Sequence, residues 1–313
     1  MLYAKRLALL LATLILLLAI DTSFIEAWLT RWCYISGGGN RLSFLCRNLF
    51  SQQSVYLSSS LPMSHPYHRI VLFGDSITQF SFDPELSGFG AGLAHSYQRR
   101  MDVMNRGFSG YNTKWALPIL RQLLPTVEQQ KQHASQVQLM TIFFGANDAA
   151  LPFSDQHVPL EQYKDNLRKM ISMVKSPDSP YYNPTTRLVL ITPPPLDEAQ
   201  WEKNCDGPLN RTFESAKQYA AAVREVAKEC NVVVADLWTM LVEESGEAHF
   251  GEYLNDGLHL SAKGNRAVHQ LLMKLIKEHF NDIHPDNLPM EIPWWRNLSR
   301  TDYEQELQFP LLK

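Results

Sequence analysis

Ser76 stands in Gly74-Asp75-Ser76-Ile77-Thr78, and Asp256 precedes His259 by three residues in Asp256-Gly257-Leu258-His259. A serine hydroxyl becomes a nucleophile only when a neighbouring base takes its proton. A carboxylate three residues ahead of a histidine, on a turn, can reach the ring Nδ1–H and leave Nε2 free to face a serine. A serine in a tight strand-to-helix turn can present both its Oγ and its own backbone N–H to a cleft, and Gly74 permits such a turn. Each segment also has a plainer use. Asp75 and Ser76 are good helix caps, and one histidine among ten need carry no chemistry.

Two further segments supply donors rather than nucleophiles. Asn105-Arg106-Gly107-Phe108-Ser109-Gly110-Tyr111-Asn112-Thr113 has glycines that let a backbone N–H approach a ligand, or that serve only for turning. Gly145-Ala146-Asn147-Asp148 offers a side-chain amide, a neutral donor suited to an oxyanion, and equally a residue for an Asx-type turn.

These segments need elements to position them. Short β-branched or apolar runs at residues 69–73, 103–105, 137–144, 187–192 and 232–235 read as strands. Helical periodicity covers residues 89–101, 114–124, 160–174, 212–228 and 262–279. Strand and helix alternate, which favours a parallel sheet with helices on both faces. Five strands suit an α/β, three-layer, flavodoxin-like domain over about residues 66–280. In such a sheet active sites form beyond the strand C-terminal ends. The Ser76, Gly110 and Asn147 segments each follow a strand, and the His259 segment precedes the last helix.

The order of these blocks resembles the SGNH hydrolases of the GDSL type, whose four letters fall on Ser76, Gly110, Asn147 and His259. The family's acid, three residues before the histidine, is matched by Asp256. The stretches LFGDSITQFSF, NRGFSGYNTKWAL, FFGANDAALP, ITPPPLDE and NDGLHLSAKGN resemble its isoamyl acetate-hydrolysing esterase branch, as does the segment Ile292-Pro293-Trp294-Trp295-Arg296. The resemblance runs from about Arg69 to Arg296. It implies a five-stranded parallel sheet and hydrolysis of short-chain, foremost acetate, esters. Catalysis would fall to Ser76, Asp256 and His259, with an oxyanion hole from Ser76, Gly110 and Asn147. The residues themselves suggest that Phe108, Tyr111, Trp115 and Leu258, with the loop from Pro193 to Trp201, line a small apolar pocket, or that the aromatics belong to the core. No cofactor or metal is implied. A thioesterase, lysophospholipase or acyltransferase could use the same residues, and a non-catalytic binding module could keep the fold. An intact set of five residues speaks against that last reading.

Composition agrees with a small-molecule ester as the partner. Hydrophobic residues make up 45% and charged residues 19%, a balance that can bury a full core. The net charge of −3 carries no basic face of the kind a nucleic-acid reader needs. Cys33, Cys46, Cys205 and Cys230 lack CxxC spacing, which leaves four thiols or a single Cys205–Cys230 bridge. Residues 1–62 read as an N-terminal extension. Lys5 and Arg6 precede an apolar run at residues 7–20, the layout of a secretory signal or membrane anchor, followed by a linker. Residues 63–313 read as the esterase domain, ending in a proline-rich tail at 281–313.

Overall fold

The computed structural model describes residues 67–205, 207–245 and 249–310. The apolar run at 7–20 and the rest of the 1–62 extension lie outside them. Among the described residues no helix is long and apolar enough to cross a membrane.

In chain order the described elements that frame the fold are β1 (His68–Gly74), α1 (Ser76–Gln79), α2 (Phe89–Ser96), β2 (Met101–Gly107), α3 (Thr113–Leu123), α4 (Val127–Gln132), β3 (Val137–Phe143) and α5 (Leu160–Lys175). Then follow β4 (Arg187–Ile191), α6 (Glu198–Asn204), α7 (Phe213–Glu229), β5 (Val233–Ala235), α8 (Leu237–Ser245) and α9 (Ala262–His279). The strands form an all-parallel five-stranded sheet in the order β2-β1-β3-β4-β5.

Both faces of the sheet are covered, which is why its inner strands read as largely apolar runs. Successive side chains of β1 alternate between two cores. Ile70 and Leu72 pack with Phe89 and Leu93 of α2, with Leu237 and Leu241 of α8 and with Val268, Leu272 and Ile276 of α9. Val71 and Phe73 pack with Leu120 of α3, Leu167 and Ile171 of α5, and Val223 and Val226 of α7. Val189 and Ile191 against Leu188 and Leu190 repeat the alternation in β4.

The segment expected as one helix over 89–101 divides. Here α2 ends at Ser96, Arg99 takes φ +62°, and Met101 opens β2. Tyr97 and Met101 are both buried, so they kept the helical period while the backbone reversed between them. The helices α4, α6 and α8 were not anticipated. The first of these buries no side chain and is held by a capping box between Thr126 and Gln129, so it has no apolar period to read.

Beyond α9 the chain runs back past α2. Tyr97 Oη donates to Ile283 O at 2.9 Å, and the Arg99 guanidinium donates to Ile292 O and Pro293 O at 2.8 Å each. Trp294 and Trp295 remain exposed, each beside an arginine, Arg99 and Arg296. Cys205 and Cys230 are free thiols.

Candidate active site

Gly74 is in register with Gly107 of β2 and with Phe143 of β3, so three strands end at one level. The strand order reverses at β1. The next long helix after β1, α2, and the one after β3, α5, lie on opposite faces, which opens a crevice above the ends of these strands.

Ser76 enters this crevice two residues after the end of β1. A Cβ on Gly74 would stand 2.5 Å from Phe143 O and 2.1 Å from Thr78 Oγ1, so only glycine lets the chain turn this close to β3. Asp75 caps α1, its Oδ1 accepting from Ile77 N at 3.0 Å. Burial pushes the Asp75 carboxyl up to about 7, and among the described residues its Oδ2 has no hydrogen-bond partner. Capping therefore falls to Asp75, while Ser76 Oγ lies 2.9 Å from His259 Nε2.

His259 sits on the turn leading into α9. Gly257 has φ +98°, and a Cβ there would meet Asp197 O at 2.6 Å and Trp201 N at 2.5 Å. This close approach fastens the turn to the segment after β4, with Asp197 N donating to Gly257 O at 3.0 Å. Asp256 Oδ2 lies 2.7 Å from His259 Nδ1. Its Oδ1 accepts from Leu258 N at 2.9 Å and His259 N at 2.8 Å. Burial raises the Asp256 carboxyl, but the His259 ring bond and the two backbone N–H groups outweigh it and bring it down to about 2. The carboxylate is acceptor-only at neutral pH, so Nδ1 carries the ring proton and Nε2 accepts from Ser76. The rings of Phe80 and Trp201 stand edge-on to the imidazole, at centroid distances of 5.6 and 6.3 Å.

Asn147 follows β3 and is buried. Its Nδ2 donates to Tyr111 O at 2.9 Å, which ties it to the loop that carries Gly110. Its Oδ1 accepts from Arg211 Nη2 at 2.8 Å and from Gln156 Nε2 at 3.2 Å. The neighbouring Asp148 turns away, its Oδ1 accepting from Thr113 N and Thr113 Oγ1. Phe108 is half-buried between Phe73 and Tyr111, and the Tyr111 and Trp115 rings form an exposed pair at 6.0 Å. Leu258 is buried in the core on the α2, α8 and α9 face.

The structure thus brings Ser76, His259 and Asp256 into one hydrogen-bonded path, and hydrogen-bonds Asn147 to the Gly110 loop. Three neighbours of these residues escaped the sequence reading: Phe80, Gln156 and Arg211. Arg211 and Gln156 stand in irregular stretches that match none of the blocks, and only the fold brings them to Asn147. Among the described residues no cluster of three or more His, Cys, Asp or Glu side chains is arranged to hold a metal ion.

The sequence model of the GDSL-like lipase/acylhydrolase family matches residues 72–267. The isoamyl acetate-hydrolyzing esterase 1 homolog of Bos taurus is 42% identical over 256 residues, covering 80% of this chain and 95% of that one. The isoamyl acetate-hydrolyzing esterase of Saccharomyces cerevisiae is 35% identical, covering 74% of this chain and 95% of that one. Among solved structures, a lipase/acylhydrolase from Enterococcus faecalis superposes with a TM-score of 0.52 at 27% identity, covering 72% of this chain and all of that one. The parallel sheet, the glycine-lined turns at its strand ends and these relatives agree: the chain belongs to the GDSL-like lipase/acylhydrolase family and is an esterase of the GDSL type.

Proposed function

We propose that the chain hydrolyses short-chain carboxylic esters, acetates foremost, through an acyl-enzyme on Ser76. The observation that carries this reading is the path from Asp256 through His259 to Ser76, with contacts of 2.7 and 2.9 Å. His259 Nε2 takes the hydroxyl proton as Ser76 Oγ adds to the ester carbonyl. Asp256 stays ionised, holds the ring in the required tautomer and stabilises the imidazolium. The imidazolium then gives its proton to the departing alcohol. A water enters, loses a proton to His259 and releases the acid by the same route.

The oxyanion falls to the backbone N–H groups of Ser76 and Gly110 and to Asn147 Nδ2. Among the described residues Nδ2 makes one bond, to Tyr111 O, so its second hydrogen is free for this task. Loss of one such donor costs about 10²–10³ in rate. Phe80 and Trp201, edge-on to the imidazole, restrict the space beside it and favour a small acyl group. The exposed pair Tyr111 and Trp115, with Phe108 behind, would receive an apolar alcohol, whereas Leu258 is withdrawn into the core. The names of the yeast and bovine relatives, both isoamyl acetate-hydrolyzing esterases or homologs of one, support an acetate ester as substrate.

The test is kcat/KM on p-nitrophenyl esters from acetate to dodecanoate. The account expects the highest value at the shortest acyl chains and a steady fall thereafter. An optimum at long chains would replace the short-ester reading with a lipase-like one. Absence of turnover on every ester would leave a binding module.

A further inference from the structure

Arg211 is buried, and among the described residues it makes no ion pair. Its guanidinium is spent on neutral acceptors. Nε donates to Ala146 O at 2.9 Å, Nη1 to Asn210 Oδ1 at 2.8 Å, and Nη2 to Asn147 Oδ1 at 2.8 Å and Gln156 Oε1 at 2.6 Å. The indole of Trp201 lies beneath it, with the guanidinium carbon 5.3 Å from the ring centroid. Burying a cation with no carboxylate in contact is costly, and Asp75 interacts with it only at a distance, so the placement of Arg211, between α6 and α7, against the loop after β3 needs a reason.

The reason lies in the near-symmetry of side-chain amides. An amide can turn over and exchange its donor and acceptor ends with little change of shape. For Asn147 that exchange would point an acceptor at the developing oxyanion. A guanidinium is donor-only, so the atom facing it must be an oxygen. Arg211 applies this rule to three amides, those of Asn210, Asn147 and Gln156, and the last two bear on the site. It fixes Oδ1 of Asn147, which leaves Nδ2 on the side of Tyr111 O. It also fixes Oε1 of Gln156, which turns Gln156 Nε2 onto Gly110 O at 2.8 Å and onto Asn147 Oδ1. Asn112 Nδ2 completes the tie by donating to Gln156 O at 3.0 Å. One cation thereby sets the polarity of two amides and holds together the loops after β2 and β3.

We infer that Arg211 is a positioning residue for the oxyanion hole, acting on Asn147 directly and on the Gly110 loop through Gln156. This inference rests on the oxyanion role proposed for Asn147 and Gly110, and it names what keeps those donors aimed.

A double-mutant cycle on p-nitrophenyl acetate, using the full chain, tests it. Arg211→Met should lower kcat by about 10–100-fold, less than the ~10²–10³ of losing a donor outright, and leave KM nearly unchanged. On an Asn147→Ala background the same substitution should cost clearly less than in the wild type, the remainder reporting the route through Gln156 to the Gly110 loop. Gln156→Met should show the same loss of effect on that background, and it carries the test if Arg211→Met does not fold. Equal losses on both backgrounds, or a change confined to KM, would overturn the inference and leave Arg211 as a structural contact. If Asn147→Ala alone retains wild-type kcat, it is the oxyanion reading itself that fails.

Discussion

Ser76 Oγ and His259 Nε2 meet at 2.9 Å although 183 positions separate the two residues. The meeting is enforced by elements that neither residue belongs to. Asn265 of α9 accepts from Phe89 N of α2 at 3.2 Å, and Ser96 of α2 bonds His269 of α9 at 3.2 Å. Val268, Leu272 and Ile276 of α9 share a core with Ile70 and Leu72 of β1. The serine turn rises from β1 and the histidine turn enters α9, so one packed face holds both ends of the contact. Rigid elements keep such a contact more closely than loops alone can.

Asp256 acts through both of its oxygens, and Asp256→Asn separates the two tasks. The Asn Oδ1 can keep the bonds from Leu258 N and His259 N, so the turn should fold. The Asn Nδ2 would face His259 Nδ1 and favour the wrong ring tautomer. The expected outcome is a fall in kcat of about 10⁴ with an almost unchanged melting temperature. A loss under ten-fold would show that Asp256 does not orient His259.

The buried Asp148 predicts a pH dependence of stability. Burial raises its carboxyl from the ordinary range to about 7, against the lowering effect of the Thr113 bonds, and the nearby charge of Asp75 raises it further. The folded chain therefore holds this proton to higher pH than the unfolded chain does. The contribution of Asp148 to stability is greatest below the unfolded carboxyl range and is lost as pH rises through about 7. Asp148→Asn keeps an acceptor for Thr113 and removes the charge. Its melting temperature should match wild type near pH 4 and exceed it near pH 8 by at least about 2–4 °C, the shift expected of 1 kcal/mol in a domain this size. A variant less stable than wild type at the higher pH would contradict this.

Residues 70–283 supply both cores of the sheet. A chain beginning at Met63 should accordingly fold and retain kcat/KM on p-nitrophenyl acetate within about two-fold, the scatter of independent sites. Insolubility or loss of turnover would make residues 1–62 part of the working domain.

The sheet was legible because strands buried on both faces, such as β1 and β3, leave largely apolar runs ending at glycine or phenylalanine. The bounds of α9 were legible because Ser261 caps it and its apolar residues recur at helical spacing. The break between α2 and β2 was not, since Tyr97 and Met101 are buried and keep a helical interval. The positions of Ser76, His259 and Asp256 could be read as motifs. Arg211 and Gln156 could not, because their partners lie 64 and 46 residues away, on Asn147 and Gly110, and only the fold pairs them. The Phe80 edge beside His259 was equally hidden, since the two residues belong to different strand ends.

The central claim is that Ser76 is the nucleophile. Ser109 is its rival, an exposed residue on the loop after β2 whose N–H donates to Gln79 Oε1 at 2.9 Å. The direct measurement is peptide mapping of the chain after inactivation by a phosphonate ester, with Ser76→Ala and Ser109→Ala assayed alongside. The account predicts label on Ser76, background turnover for Ser76→Ala with little change in melting temperature, and near wild-type turnover for Ser109→Ala. Label on Ser109, or full ester turnover by Ser76→Ala, would contradict it.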